Sequence, residues 1–293
     1  MTSAPPDRLH LTKHHGAGND FLVLLDPDDS SPLDPALVVA LCDRHHGVGA
    51  DGVIRASRAR AAADRATGAG DADVVMEVRN ADGSVAETSG NGLRCVAQAV
   101  FDAGWARPPS LRVRTVAGVR TVDVTPGAAG AASAWVDMGR PVLGPDEDLG
   151  PADGFGLADL KVARWVEVGN PHLVLVGVDP EAVDVAGTGA AMADRRPGGA
   201  NVEFVVLESP ADTLRLRVWE RGAGETLACG TGSVAAAAVT RAAGLTGDRV
   251  VVRNPGGVLE VAFAGDEARL GGPVHKVADI DVDVTALAAT TGP

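Results

Sequence analysis

Two short segments place a nucleophile-type side chain one residue ahead of a Gly-x-Gly. Ser89-Gly90-Asn91-Gly92 leads into the apolar run LRCVAQAV, and Cys229-Gly230-Thr231-Gly232 leads into SVAAAAV. Both runs predict helices, so each reactive side chain stands at a helix start. A helix start holds unsatisfied backbone N–H groups and the positive end of the dipole, and Gly lets a carboxylate approach them closely. Two such starts facing one another could clamp one α-carboxylate and stabilise the enolate-like charge of a deprotonated α-carbon. The same dipoles are expected to lower the pKa of Cys229 toward neutrality and make it a base. An acid at Ser89 would then return a proton to the other face. That chemistry is a cofactor-free racemase or epimerase. A lone Cys in such a turn can also be just a small buried residue, which is how Cys42 and Cys95 are read.

The two segments are 140 residues apart (89 to 229), and the same offset aligns MEVRN (76–80) with LRVWE (216–220). A second echo pairs Gly18-Asn19-Asp20-Phe21 with Gly169-Asn170-Pro171-His172. A duplicated order of elements therefore surrounds each helix. Strands are expected at residues 9–14, 21–25, 53–56, 74–78, 111–115 and 119–124 in the first half. In the second half they are expected at 135–138, 162–167, 173–176, 202–207, 214–220, 250–253 and 259–263. Asp34-Pro35 caps a helix to about residue 44. The two central helices are expected at about 92–103, with Gly104 as the C-terminal cap, and at about 232–243. The second is apolar nearly all round, as a helix enclosed by sheet would be. The polar stretch 55–73 reads as a hairpin excursion, and 125–134 as a linker or hairpin tip. The expected fold is α+β with two pseudo-symmetric lobes, each a curved, mostly antiparallel sheet around a central helix, with the active site in the cleft between them. The lobes are expected at 1–133 and 134–275, with the tail 276–293 returning to the first.

The 293 residues suffice for two domains, and 45% hydrophobic content supplies their cores. A net charge of −13 with dispersed basic residues argues against nucleic acid and anionic membranes as partners. No apolar run reaches membrane-spanning length, the first residues lack a signal-peptide core, and three cysteines form no framework. These features fit the cytoplasm. Gly47-Val48-Gly49-Ala50-Asp51-Gly52 matches a dinucleotide fingerprint, but it follows a helix and not a strand. Lys13, Lys161 and Lys276 are the only lysines, none in a promising loop for a pyridoxal Schiff base. His14-His15 and His45-His46 lack metal-ligand spacing. No metal and no cofactor is expected.

Together, HGAGNDF (15–21), GVGADG (47–52), RNADGSVAETSGNGLRC (79–95), GNPH (169–172), Asn201-Val202 and ERGAGETLACGTG (220–232) resemble diaminopimelate epimerase, in the family's order and across nearly the whole chain. The resemblance implies a two-base, cofactor-independent interconversion of L,L- and meso-diaminopimelate, and a homodimer. Asn19, Asn80, Asn170, Asn201 and Arg221 match substrate-binding positions, with Glu220 beside them. Gly90, Asn91, Gly230 and Thr231 match the carboxylate-binding helix starts, His172 a residue near the reactive centre, and Cys229 one catalytic cysteine. Arg suits bidentate binding of a far carboxylate, and Asn both donates and accepts.

The family pattern departs at Ser89, where a second Cys is expected. A thiol has a pKa of about 8.5, whereas a hydroxyl lies nearer the roughly 15.7 of bulk water. The gap is on the order of 10 kcal/mol against forming the anion. Ser89 is therefore a poor base and a weaker acid than Cys. Three readings follow: a subgroup in which Ser89 works through a relay, an introduced Cys-to-Ser replacement, or reuse of the fold for another amino acid. A catalytically impaired binder is a further alternative.

Overall fold

The computed structural model describes residues 7–59, 72–86, 89–149 and 157–290. Its first elements are β1 (Arg8–Gly16), β2 (Asn19–Leu25), α1 (Pro35–Cys42), β3 (Gly52–Arg58), β4 (Val74–Asn80), α2 (Gly90–Asp102), β5 (Ser110–Thr115), β6 (Gly118–Pro126) and β7 (Ala131–Gly139). They continue with β8 (Val142–Asp146), β9 (Val162–Glu167), β10 (Pro171–Val176), α3 (Val185–Ala193), β11 (Asn201–Glu208), β12 (Thr213–Glu220), β13 (Gly224–Thr226) and α4 (Gly230–Ala242). The last are β14 (Arg249–Asn254), β15 (Gly257–Ala264), β16 (Glu267–Asp283) and α5 (Val284–Thr290). The tip between β6 and β7 falls within the stretch read as a linker or hairpin. Most of the expected excursion at 55–73 lies outside the described residues, although β3 runs on to Arg58 and pairs it with Val74.

The chain divides into two compact units. The first comprises residues 1–16, 20–136 and 273–293; the second comprises 17–19 and 137–272. The first unit pairs β2 with β3 in parallel, β3 with β4 antiparallel, β4 with β5 in parallel, and β5 with β6 and β6 with β7 antiparallel. The second repeats that alternation: β10–β11 parallel, β11–β12 antiparallel, β12–β14 parallel, β14–β15 and β15–β16 antiparallel. The latter half of β16 returns to the first unit and pairs antiparallel with β1, Leu9 opposite Val282 and Leu11 opposite Ile280. The fold is α+β, with each sheet packed around one helix.

The core helices explain their own composition. In α4, Gly230 to Thr240 are all buried, against β9, β10, β11, β12, β14 and β15. A helix with sheet on every side has room only for small residues, hence SVAAAAV. α2 touches β1, β3 and β6, and buries even Arg94, whose guanidinium donates to Asn91 Oδ1 and to the carbonyls of Gly90 and Pro273. Asp34 caps α1, accepting from Ala36 N–H at 2.8 Å and Leu37 N–H at 3.2 Å. Gly104 follows α2 with φ of +70°, the left-handed turn that favours Gly at a helix end. α2 and α4 each begin two residues earlier than the apolar pattern suggests, because Ser89 and Cys229 are their N-caps.

Ala236 lies in the middle of α4 with no exposed surface. Ala236→Leu is expected to overpack this helix and cost about 1–3 kcal/mol. An unchanged denaturant midpoint would show that α4 is not tightly enclosed.

Candidate active site

The two helix starts share one geometry. Ser89 caps α2 with φ −145° and ψ 110°, and its Oγ accepts from Gly92 N–H at 2.9 Å. Cys229 caps α4 with φ −115° and ψ 118°, and its Sγ accepts from Gly232 N–H at 3.3 Å. Extended backbone at the cap and an acceptor reaching the third N–H are what an N-cap requires. The caps use one N–H each, which leaves other first-turn donors to meet an anion.

In the second unit, strands and loops gather polar groups near Cys229. β10 and β11 set His172 beside Asn201 in parallel register. Asn201 Oδ1 accepts from Arg221 N–H at 2.9 Å, tying the end of β12 to the start of β11. Asn170 Oδ1 lies 2.9 Å from His172 Nε2, and Glu203 Oε1 lies 2.7 Å from His172 Nδ1. Glu220 accepts from Thr226 Oγ1. Cys229 Sγ lies 3.4 Å from Thr231 Oγ1. Asn19 belongs to the short segment 17–19 that clusters with this unit. Asn170, His172, Asn201, Glu220, Arg221, Cys229, Gly230 and Thr231 thus belong to the same unit as Asn19.

The remaining predicted residues stand in the first unit. Asn91 is buried in the first turn of α2 beside Gly90 and is held by Arg94. Asn80 ends β4, its side chain donating to Ser84 Oγ at 3.0 Å. Beneath the Ser89 turn the packing is apolar: a Cβ on Gly92 would lie 3.1 Å from both Ile54 Cδ1 and Met76 Cε.

The electrostatics correct one expectation. The helix start does not lower the Cys229 thiol; its pKa is raised well above the ordinary value. Burial is the largest cause, followed by the negative charges of Glu220 and Glu203. Hydrogen bonds from Thr231 and the Gly232 amide offset only part of this. Glu220 is itself raised, chiefly by burial, with hydrogen bonds from Thr226 and the Cys229 thiol pulling the other way. The thiol is therefore held protonated, with the Glu220 carboxyl near enough to act on it electrostatically. Cys42 and Cys95 are buried and pushed up to about 12, chiefly by desolvation, in keeping with a packing role.

The adjacent histidines go to separate uses. His14 is buried against Gln98 and Thr12, His15 stacks on His275 with ring centroids 5.0 Å apart, and His46 faces Asp43. The Gly47 to Gly52 loop leads into β3 and not into a helix, so it lacks the dinucleotide context. Sequence reasoning missed Glu203. The only signal was an acidic residue inside the apolar run NVEFVV.

A family model described as diaminopimelate epimerase matches residues 11–144 and 164–277. The chain belongs to the diaminopimelate epimerase family. It is therefore an isomerase, of a family that needs no cofactor. It is 43% identical over 285 residues to the diaminopimelate epimerase of Thermobifida fusca, covering 95% of this chain and all of that protein. It is 38% identical to that of Mycobacteroides abscessus, covering 94% and 96%. Solved structures share the fold at low identity. They include a PhzF-family phenazine biosynthesis protein from Bacillus anthracis (TM-score 0.71, 15% identity, 94% of this chain and 99% of that one). A hydroxyproline epimerase from Agrobacterium vitis matches at TM-score 0.67 and 17% identity, covering 94% and 92%. No helix among the described residues is long and apolar enough to cross a membrane.

A raised thiol pKa means less thiolate at any pH below it, and the thiolate is the reacting species. Iodoacetamide should therefore label Cys229 in the native protein at pH 7.5 more slowly than after unfolding, as followed by mass spectrometry. Equal rates would contradict a buried, protonated Cys229.

Proposed function

We propose that this enzyme epimerises L,L-diaminopimelate to meso-diaminopimelate by proton transfer at two poles, Cys229 and Ser89. The observation that carries the reading is the pair of matching turns: the Cys229 thiol caps one helix start, accepting from Gly232 N–H at 3.3 Å, as the Ser89 hydroxyl caps the other. The α-carboxylate of the substrate takes the backbone N–H groups at the helix starts of Gly90-Asn91 and Gly230-Thr231. Asn19, Asn80, Asn170, Asn201 and Arg221 hold the second amino-acid head, which only a two-headed substrate would need.

Glu220 accepts the Cys229 thiol proton, and the thiolate removes the α-proton. The carbanion, stabilised by the helix-start donors, takes a proton on its other face from the Ser89 hydroxyl. The Ser89 alkoxide regains its proton from water. The hydroxide left by that step takes the proton from Glu220, so the substrate ends inverted and the enzyme unchanged. The hydroxyl is the costlier partner, by the roughly 10 kcal/mol that separates it from a thiol in forming an anion. The Ser89 pole therefore limits the rate. In keeping with this, its floor is Ile54 and Met76, which carry no proton. The family resemblance further supports a homodimer in the cytoplasm, taking a small-molecule substrate.

Proton NMR in deuterium oxide tests the reading, with each isomer supplied separately. Inversion with α-deuterium uptake from both isomers is expected. Uptake without inversion would leave Cys229 acting alone, and no uptake would refute diaminopimelate as substrate. Cys229→Ala should abolish exchange. Ser89→Cys should raise turnover, by at least about tenfold if only 1.4 kcal/mol of the barrier is recovered. A fall in turnover would give Ser89 a role that a thiol cannot fill.

A further inference from the structure

Beneath the Cys229 turn lies an acid that neither cap accounts for. Glu203, on β11, has no exposed surface. One carboxylate oxygen lies 2.7 Å from His172 Nδ1, and the other, Oε2, is buried with no hydrogen-bond partner among the described residues. The carboxylate presses so closely on the helix start that a Cβ on Gly232 would lie 2.6 Å from Oε1.

The first unit shows what the same place holds without this pair. Phe21 lies beside Gly52 and Val23 beside Ile54 in the β2–β3 ladder. His172 lies beside Asn201 and Val174 beside Glu203 in the β10–β11 ladder. The Gly18 and Gly169 echo thus sets Phe21 against His172 and Ile54 against Glu203. Both Gly positions in the helix starts lie over these residues: Gly92 over Ile54 Cδ1, Gly232 over Glu203 Oε1. An apolar pair fills the place well in one unit. A buried carboxylate with an unpartnered oxygen is a costly replacement and calls for a task other than packing.

We propose that Glu203 is a positioning residue of the epimerase site, fixing the proton on His172 Nδ1 and, through Nε2, the orientation of the Asn170 carboxamide. The inference rests on the function proposed above, in which Asn170 binds substrate. A carboxylate on one ring nitrogen sets the tautomer and rotation of an imidazole, and so decides what the other nitrogen offers. Here the other nitrogen lies 2.9 Å from the Asn170 carboxamide; with the proton on Nδ1 it is an acceptor, so it selects the NH2 end of that amide and sets which way the carboxamide faces. Glu203 also helps hold Cys229 as the thiol, behind burial and Glu220.

The test uses the full chain labelled with 15N-histidine, as wild type, Glu203→Gln and Glu203→Leu, with His172→Gln to assign the ring signals. Wild type should carry a proton on Nδ1 of His172. Glu203→Leu should lose that preference, and Glu203→Gln, which keeps an acceptor, should retain it. For diaminopimelate, kcat/KM should fall on the order of 10–100-fold in Glu203→Leu, with most of the loss restored in Glu203→Gln. A wild-type ring protonated on Nε2 alone overturns the proposal even if no variant folds. So does a folded Glu203→Leu protein with unchanged tautomer and unchanged kcat/KM. If wild type shows no turnover of diaminopimelate, the function reading fails, while the ring signals still judge the role of Glu203.

Discussion

The site depends on one arrangement: the reactive side chain is also the cap of a core helix. Ser89 and Cys229 both give a lone pair to the third amide of the helix that follows. That bond fixes where the oxygen or sulfur sits and leaves its hydrogen free to point elsewhere. At Cys229 the polar groups around it are Thr231 Oγ1, 3.4 Å away, and the Glu220 carboxyl. The neighbouring Gly residues follow from the same turn, because a Cβ at position 92 or 232 would crowd the cap and the strand beneath. Sulfur makes the longer cap, 3.3 Å against 2.9 Å for oxygen.

The two units repeat in backbone and differ in acid–base equipment. Parallel and antiparallel pairings alternate identically around α2 and α4, and both helices are capped alike. Around Cys229 the equivalent positions hold His172, Glu203 and Glu220; around Ser89 they hold Phe21, Ile54 and Asn80. The duplication supplies two anion-binding turns, and the substitutions on the strands below decide what each can do with a proton.

Much of this was legible in the sequence because it is local. Gly-x-Gly after a nucleophile, Asp34 before Pro35, and short β-branched runs each carry their own structural reason. The α3 helix was not legible: VAGTGAAMA has two glycines and no apolar stripe, and it forms because Asp184 caps it and Gly189 packs on Trp219. β8 reads VLGPD, with Gly and Pro inside it. The sign of the Cys229 shift was missed because it comes from depth and from carboxylates on β12 and β11, nine and 26 residues away in sequence. Glu203 escaped for the same reason. A single acid in an apolar strand looks solvent-facing until parallel pairing and a covering helix bury both faces.

The 17-residue β16 strand begins in the second unit and ends paired with β1. During synthesis, β1 therefore leaves the ribosome more than 250 residues before its partner does. The first unit must wait with an open strand edge until β16 has been made, while the second unit has its partners to hand sooner. An edge left unpaired for so long invites wrong associations. The charged and imidazole-bearing residues of β1, RLHLTKHHG, make that waiting edge a poor template for aggregation.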